Sequence, residues 1–369
     1  MRFSVLARYA LGIVAVLVLV TCFGDHMQQA GAVSRRAPKS LGGGPAPPPP
    51  RETAPPLREI APASTENMRR RDAVREAFVL HSQREGRVFP VVREKLATGG
   101  VFGIKAGDVG SQNLLGFKAA GFWPGNRQLG GDTHQATIVL IDPATGRPLC
   151  IVDGNAITTA RTGAAGGIGL QQLARPDSTR LCVFGTGVQA RVQLEFALRL
   201  MPSLQTVRYV SNSGQRHAAF EAAFQDRCEI QLATDRDDAV ANSDVVITAT
   251  PGGGPLFDAQ AVRPGTHLTC VGADTTGKRE LPAGVLERAR IVVDDSEQAR
   301  RIGECQWAPD LPCIEIGDLL TGKATITRQP ADITVFDMTG LALQDLTVAR
   351  FLDQRARADG TGTRLAWPW

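Results

Sequence analysis

Aromatic residues are scarce in this 369-residue chain: 4 Trp, 2 Tyr and 14 Phe make up 5% of it. Lys and Arg are scattered, so no surface of stacked rings and cations is available, and no nucleic-acid partner is expected. An excess of one charge is also missing, because 41 basic against 37 acidic residues leave a net charge of only +4. No C-x-x-C pair occurs. The seven cysteines are odd in number, and Cys150, Cys182 and Cys270 fall in apolar runs. That predicts buried free thiols and a reducing compartment instead of a disulfide framework. The five histidines (His26, His81, His134, His217, His267) show no ligand spacing, so no metal site is expected. A hydrophobic share of 43% with 21% charged residues excludes both a wholly disordered chain and a polytopic membrane protein.

The apolar stretch Leu11–Val20 is short for a membrane span, which needs about 20 residues. Preceded by Arg2 and Arg8 and followed by Ala30-Gly31-Ala32, it reads as a secretory signal. Residues 38–62 hold Pro38, Pro45, Pro47–Pro50, Pro55, Pro56 and Pro62, which excludes helix and central strand there. Residues 1–67 are therefore either an export or anchor segment with a linker, or an untranslated leader ahead of Met68.

From residue 69 the texture is that of a folded protein. RRRDAVREAFVL places Ala73, Val74, Ala77, Phe78 and Leu80 on one helical stripe. Short apolar segments broken by Gly and Pro follow, predicting a small mixed or antiparallel sheet, and then AITTARTGAAGGIGLQQLA predicts a long helix. After Arg180, strands alternate with helices, the signature of a doubly wound parallel sheet. The expected fold is α/β: a Rossmann dinucleotide-binding domain over 166–309, and a second α+β substrate and dimerisation domain from 68–165 plus 310–369.

Gly185-Thr186-Gly187-Val188-Gln189-Ala190 closes a strand and opens a helix. Gly185 permits the tight turn, Gly187 lets the backbone approach a pyrophosphate, and Ala190 stands where only a small side chain packs. Free N–H groups at the helix start favour the phosphates. The second strand ends in Ser211-Asn212-Ser213, with neither an acid for a ribose hydroxyl nor an Arg for a 2′-phosphate, so NAD and NADP both remain open. Thr158 and Thr250 complete the expected cofactor set. Dependence on a reduced nicotinamide pool predicts a cytoplasmic protein, the alternative being export or anchoring through residues 1–32.

Arg93, Lys105 and Lys118 interrupt apolar strands, and Arg161 lies in the following helix. Buried cations need partners. Ion pairs with Glu94 or Asp108, solvated strand faces, or a pocket for substrate carboxylates would each account for them. Asp274 follows the strand HLTCVGA at the end where parallel sheets bind ligands, with a capping role in DTTGK as the alternative.

The segments GFKAAGFWPGN, DGNAITTARTGAA, VFGTGVQA, VGADTTGKREL and ITVFDMTGLALQD together resemble the ornithine cyclodeaminase/mu-crystallin family over residues 69–355. The resemblance implies a homodimer and hydride transfer between NAD(P) and the α-carbon of a small amino or imino acid. It implies that Arg93 and Arg161 bind the α-carboxylate, that Lys118 is the active-site lysine, and that Asp274 is the catalytic aspartate. Gly163 replaces the usual Ala of the RTAA motif, and Thr276 a common Pro. FPVVRE, IKAG, WPGN and THQAT are most similar to the branch containing iminosuccinate reductase, which suggests a dicarboxylate whose second carboxylate meets Lys105 or His134. An ornithine cyclodeaminase and a non-catalytic NAD(P)H-binding mu-crystallin-like protein are the alternatives.

Overall fold

A computed structural model describes residues 63–368. The signal-like and proline-rich expectations for residues 1–62 fall outside the described residues. The first helix, α1 (Ala63–Ser82), starts five residues before Met68. Its stripe buries Val74, Ala77 and Phe78.

Six strands follow: β1 (Gly86–Val88), β2 (Val92–Lys95), β3 (Val101–Val109), β4 (Leu114–Phe122), β5 (His134–Ile141) and β6 (Pro148–Asp153). They form one antiparallel sheet in the order β1-β3-β4-β5-β6, with β2 also pairing with β3. Burial alternates along β3, β4 and β5, as expected of a sheet with one covered face. The covering helices are α2 (Gly154–Leu173) and α8 (Ala342–Asp359). The Asp153 carboxylate accepts the Asn155 N–H and so starts α2.

The second sheet holds eight parallel strands in the order β13-β12-β14-β11-β10-β7-β8-β9. Their ranges are β7 (Arg180–Phe184), β8 (Thr206–Val210), β9 (Glu229–Leu232), β10 (Val245–Thr248), β11 (His267–Cys270), β12 (Ala289–Val293), β13 (Cys313–Glu315) and β14 (Ile333–Asp337). The helices α3 (Val188–Leu200), α4 (Ala218–Glu221), α5 (Arg236–Ala241), α6 (Ser296–Ile302) and α7 (Ile316–Thr321) connect them. Strand order reverses between β7 and β10, which places a ligand crevice outside the carboxyl ends of those two strands.

Two expected boundaries need correction. Residues 310–337 belong to the parallel sheet, since β13 extends its edge and β14 inserts between β11 and β12. Every residue of β14 is buried, the pattern of a strand covered on both faces. The segment after β14 packs on the antiparallel sheet as α8, while α7 packs against α1. The 165/166 boundary falls inside α2, one continuous helix packed against α3 on one side and β5 on the other. Gly163 has a steric reason: a Cβ there would stand 2.6 Å from Val192 and 2.8 Å from Phe196 of α3. All six described cysteines are free thiols. Among the described residues no helix is long and apolar enough to cross a membrane.

Candidate active site

Lys105 and Lys118 are direct register partners across β3 and β4, both pointing to the covered face and both buried. Like charges placed opposite each other repel, so each lysine needs its own acceptor. Lys118 Nζ lies 2.7 Å from Asp345 Oδ2 and donates to Thr158 Oγ1 at 3.3 Å. Lys105 Nζ donates to the carbonyls of Thr339 and Gly340 at 2.7 and 2.8 Å. Asp345 arrives on α8, which lies close to the sheet over two glycines. A Cβ at Gly107 would stand 3.3 Å from Leu343, and one at Gly116 2.9 Å from Leu346. Arg161 reaches the same carboxylate from α2, its Nε donating to Asp345 Oδ1 at 3.0 Å and its Nη1 to Gln344 at 3.2 Å.

One carboxylate thus faces two cations, with Lys105 close by. Burial lowers the Lys118 pKa to about 7 despite the pull of Asp345, with Arg161 and Lys105 adding to the fall. Burial and Arg161 likewise lower Lys105 to about 8. Burial pushes Asp345 upward, but Arg161 and Lys118 outweigh it and hold the carboxyl below its ordinary value. The sheet face therefore carries amines poised near neutrality instead of permanently charged lysines.

Arg93 lies on β2 opposite Gly103, two residues along β3 from Lys105. Its Nη2 donates to the main-chain oxygen of Asp274 at 3.3 Å, so the two sheets meet here. Asp274 follows β11, as expected. Burial favours its neutral form, but Lys278, Arg93 and Lys105 prevail and hold its pKa at about 2. Its carboxylate accepts from Lys278 Nζ at 2.6 Å and from the Thr275 hydroxyl at 3.1 Å. His134 sits half-buried at the start of β5 with Nδ1 3.0 Å from Asn155 Oδ1, and burial and Lys118 lower its pKa. Lys105 lies within electrostatic reach of Arg161, Asp274, Arg93 and Asp345, so charged residues picked out from sequence gather in one neighbourhood.

The Gly185–Ala190 turn runs from β7 into α3. Gly185 has φ +105°, and a Cβ there would stand 2.6 Å from the Ala249 carbonyl just beyond β10, so only glycine closes the crevice. A Cβ on Gly187 would meet nothing within 4 Å, and no side chain caps α3. The N–H groups of the first turn are therefore open to a phosphate. Thr186 is half-buried, while Val188 is 61% exposed, an apolar first-turn residue facing solvent. The Gln189 Oε1 is buried without a hydrogen-bond partner, and Ala190 is fully buried against the strand. These features fit a dinucleotide. Ser211 donates to the Gln215 carbonyl at 2.7 Å, Ser213 accepts the Gln215 N–H at 3.2 Å, and Asn212 is exposed beside them at the end of β8. Thr250 lies past β10, but its hydroxyl and N–H both go to Glu280. Thr158 is engaged with Lys118 on the substrate side.

Gly187→Ala is therefore expected to leave thermal stability within about 0.5 kcal/mol of wild type, because the added methyl enters open space. Dinucleotide affinity is expected to fall by about tenfold or more, because the second glycine lets the pyrophosphate approach the backbone. NADH fluorescence titration checks this, and unchanged affinity would remove the turn from the cofactor site.

Several site residues were not singled out in the sequence. The counter-ion of the buried cations is Asp345, not Glu94, which is exposed, nor Asp108, which pairs with Arg87 at 2.8 Å. Asp345 stands 227 positions after Lys118, within the ITVFDMTGLALQD segment, and no spacing rule joins them. Asp294 was missed too. It is buried at the end of β12 and accepts from the Thr339 N–H at 2.9 Å, the Thr339 hydroxyl at 2.7 Å and the Gly340 N–H, fixing the turn whose carbonyls hold Lys105. Fully buried Glu280 ties the ends of β10 and β11 together through Thr248, Thr250 and Gly272.

The family model described as Ornithine cyclodeaminase/mu-crystallin family matches residues 63–360. Alanine dehydrogenase of Archaeoglobus fulgidus is 34% identical over 301 residues, 80% of this chain and 92% of that protein. Iminosuccinate reductase of Paracoccus denitrificans is 32% identical over 306 residues, 78% and 92% of the two chains. Among solved structures, an archaeal alanine dehydrogenase dimer with bound NAD superposes with a TM-score of 0.76 at 32% identity, covering 82% of this chain and 95% of that one. The Paracoccus denitrificans iminosuccinate reductase in complex with NAD+ gives 0.73 at 30% identity, with 82% and 95% covered. Both of these solved structures hold NAD. On the family match and on both relatives, this chain belongs to the ornithine cyclodeaminase/mu-crystallin family.

Proposed function

We propose that the protein is an NAD(P)H-dependent imino-acid reductase, running in reverse as an amino-acid dehydrogenase, with a small imino dicarboxylate such as iminosuccinate as its substrate. The observation that carries this reading is that Arg93 reaches across to the Asp274 main chain at 3.3 Å, beside the buried register pair Lys105 and Lys118, with Lys105 within electrostatic reach of Asp274.

A bound nicotinamide supplies the hydride. The chain's own residues do the rest. Arg93 and Arg161 bind the α-carboxylate, and the contacts of Arg161 to Asp345 and Gln344 fix its guanidinium while leaving Nη2 for the substrate. That clamp presents the C=N carbon in one orientation. Lys118 gives its proton to the imine nitrogen, and the Asp274 charge stabilises the resulting iminium. Asp274 cannot be the donor at neutral pH because it is already ionised. Lys105 spends two of its three N–H groups on carbonyls and keeps one for a second carboxylate.

Cyclisation of ornithine calls for an unpaired acid facing a distal amine. Asp345 is already taken by Lys118 and Arg161 and does not face such an amine, which favours the reductase. The deciding assay offers 2-oxo acids with ammonia or methylamine, and cyclic imines, to NADH and NADPH. Oxaloacetate with ammonia is expected to oxidise the cofactor fastest. Conversion of ornithine to proline without net cofactor change would reverse the assignment.

The pH dependence follows from Lys118. Its donor form disappears as pH rises through about 7, so reductive kcat/KM is expected to fall by about tenfold per pH unit above that point. Oxidation of the amino acid needs the free amine and rises through the same range. A reductive profile flat to pH 9 would exclude Lys118 as the donor.

A homodimer also belongs to this reading. Strand β6 leaves one edge of the antiparallel sheet unpaired, and Val92, Phe122 and Leu149 are exposed on that sheet. Light scattering on the eluting protein is expected to give twice the chain mass.

A further inference from the structure

Outside the catalytic cleft, three side chains far apart in the sequence meet. His81 ends α1, Asp295 caps α6, and Glu315 closes β13, with their ligand atoms all within 4.8 Å of one another. The His81 and Glu315 side chains are only 7% and 9% exposed. His81 Nδ1 makes no hydrogen bond, and Glu315 Oε2 makes none. Asp295 Oδ2 is 2.9 Å and Glu315 Oε2 3.7 Å from His81 Nε2, so both carboxylates turn an oxygen toward the same ring nitrogen.

The remaining carboxylate oxygens are already held. Asp295 Oδ1 accepts the Gln298 N–H at 2.6 Å, and Glu315 Oε1 accepts from Ser296 N and Oγ at 3.1 and 2.9 Å. Each carboxylate is thus anchored by one oxygen while the other turns toward the imidazole. Buried polar atoms are seldom left unsatisfied, and an ion between His81 Nε2 and the two turned carboxylate oxygens would bond to Glu315 Oε2, which has no hydrogen bond of its own.

We propose that His81, Asp295 and Glu315 form a binding site for a divalent ion of the zinc class, separate from the catalytic cleft. One imidazole nitrogen and two carboxylate oxygens are a known donor set for such ions. Zinc with bonds of about 2.0–2.1 Å in a tetrahedron sets its ligand atoms about 3.3 Å apart. The distances of 2.9 and 3.7 Å fall on either side of that value, so shifts of a few tenths of an ångström admit the ion. Two carboxylates and a neutral imidazole balance its charge. A proton on His81 alone leaves one negative charge buried, with the exposed Arg84 as neighbour. The ion joins α1 to the parallel sheet immediately beside Asp294, the residue that fixes the turn under Lys105.

The test uses the full chain, purified without chelator and with no histidine tag retained. Elemental analysis is expected to find about one zinc per chain, which EDTA dialysis removes with a fall in Tm, and added Zn2+ restores both. Co2+ in its place is expected to give the visible bands of a tetrahedral nitrogen–oxygen site. Glu315→Gln and His81→Asn are each expected to lose the metal and the cobalt bands while still binding NADH, which shows that they are folded. Should the protein hold no metal and take up none from Zn2+, Co2+ or Mn2+, or should both variants retain it in full, the proposal fails. It fails equally if NMR finds His81 protonated in a chelator-treated protein whose Tm zinc does not move, since the cluster is then an ion pair.

Discussion

Asp274→Asn is expected to lower reductive turnover by about two to three orders of magnitude, the usual loss when a group aimed at developing charge is removed. Asn is nearly isosteric but neutral, so the iminium loses its counter-charge. Three features make the effect specific. Arg93 contacts the main-chain oxygen of residue 274, which the substitution leaves in place. Lys278, the other partner, is about a third exposed and can turn to water, so the fold bears little cost. The Gly185–Ala190 turn is untouched, so dinucleotide affinity stays near wild type. Steady-state kinetics beside NADH titration separate these quantities. Retained turnover would take Asp274 out of the chemistry, and lost turnover together with lost NADH binding would point to a disordered loop instead.

Asp345→Asn is expected to act on stability and on the pH profile together. The carboxylate is completely buried and balances both Lys118 and Arg161, so its loss strands two cations. Breaking such a buried pair costs about 3–5 kcal/mol. Asp345 also raises the Lys118 pKa against burial, and without it that pKa falls further below 7. The reductive pH limb therefore moves to lower pH, and turnover at neutral pH drops while turnover in mild acid partly recovers. Denaturant unfolding and a pH–rate profile of the same variant check both parts. A uniform loss of rate at every pH would leave Asp345 a structural role only.

Much of the site could be read from the chain. The Gly185–Ala190 turn is local, since a strand, two glycines and a helix start are contiguous in sequence and need no partner to be recognised. The cations Arg93, Lys105 and Lys118 stood out because charge is rare in strands that alternate toward a covered face. Asp274 was placed by its position after an apolar strand. Asp345, Asp294 and Glu280 were not singled out, because each acts on residues tens to hundreds of positions away, and a buried acid beside apolar residues looks the same as a solvated one until the packing is known. Strand β14 joins the parallel sheet and not the first domain, which the chain alone does not reveal for a related reason. Its apolar run fits any buried sheet, and only hydrogen bonding to β11 and β12 shows which sheet it joins.

By itself the sequence determined the two kinds of sheet, the glycine turn between β7 and α3 and the identity of the cations within the strands, because periodicity and turn chemistry are set by neighbours along the chain. The tertiary structure alone decided which acid neutralises which cation and that burial lowers both lysines below their ordinary pKa. Those outcomes depend on burial and on distances between charges, and both come into being only when α8 closes over the glycines of the antiparallel sheet.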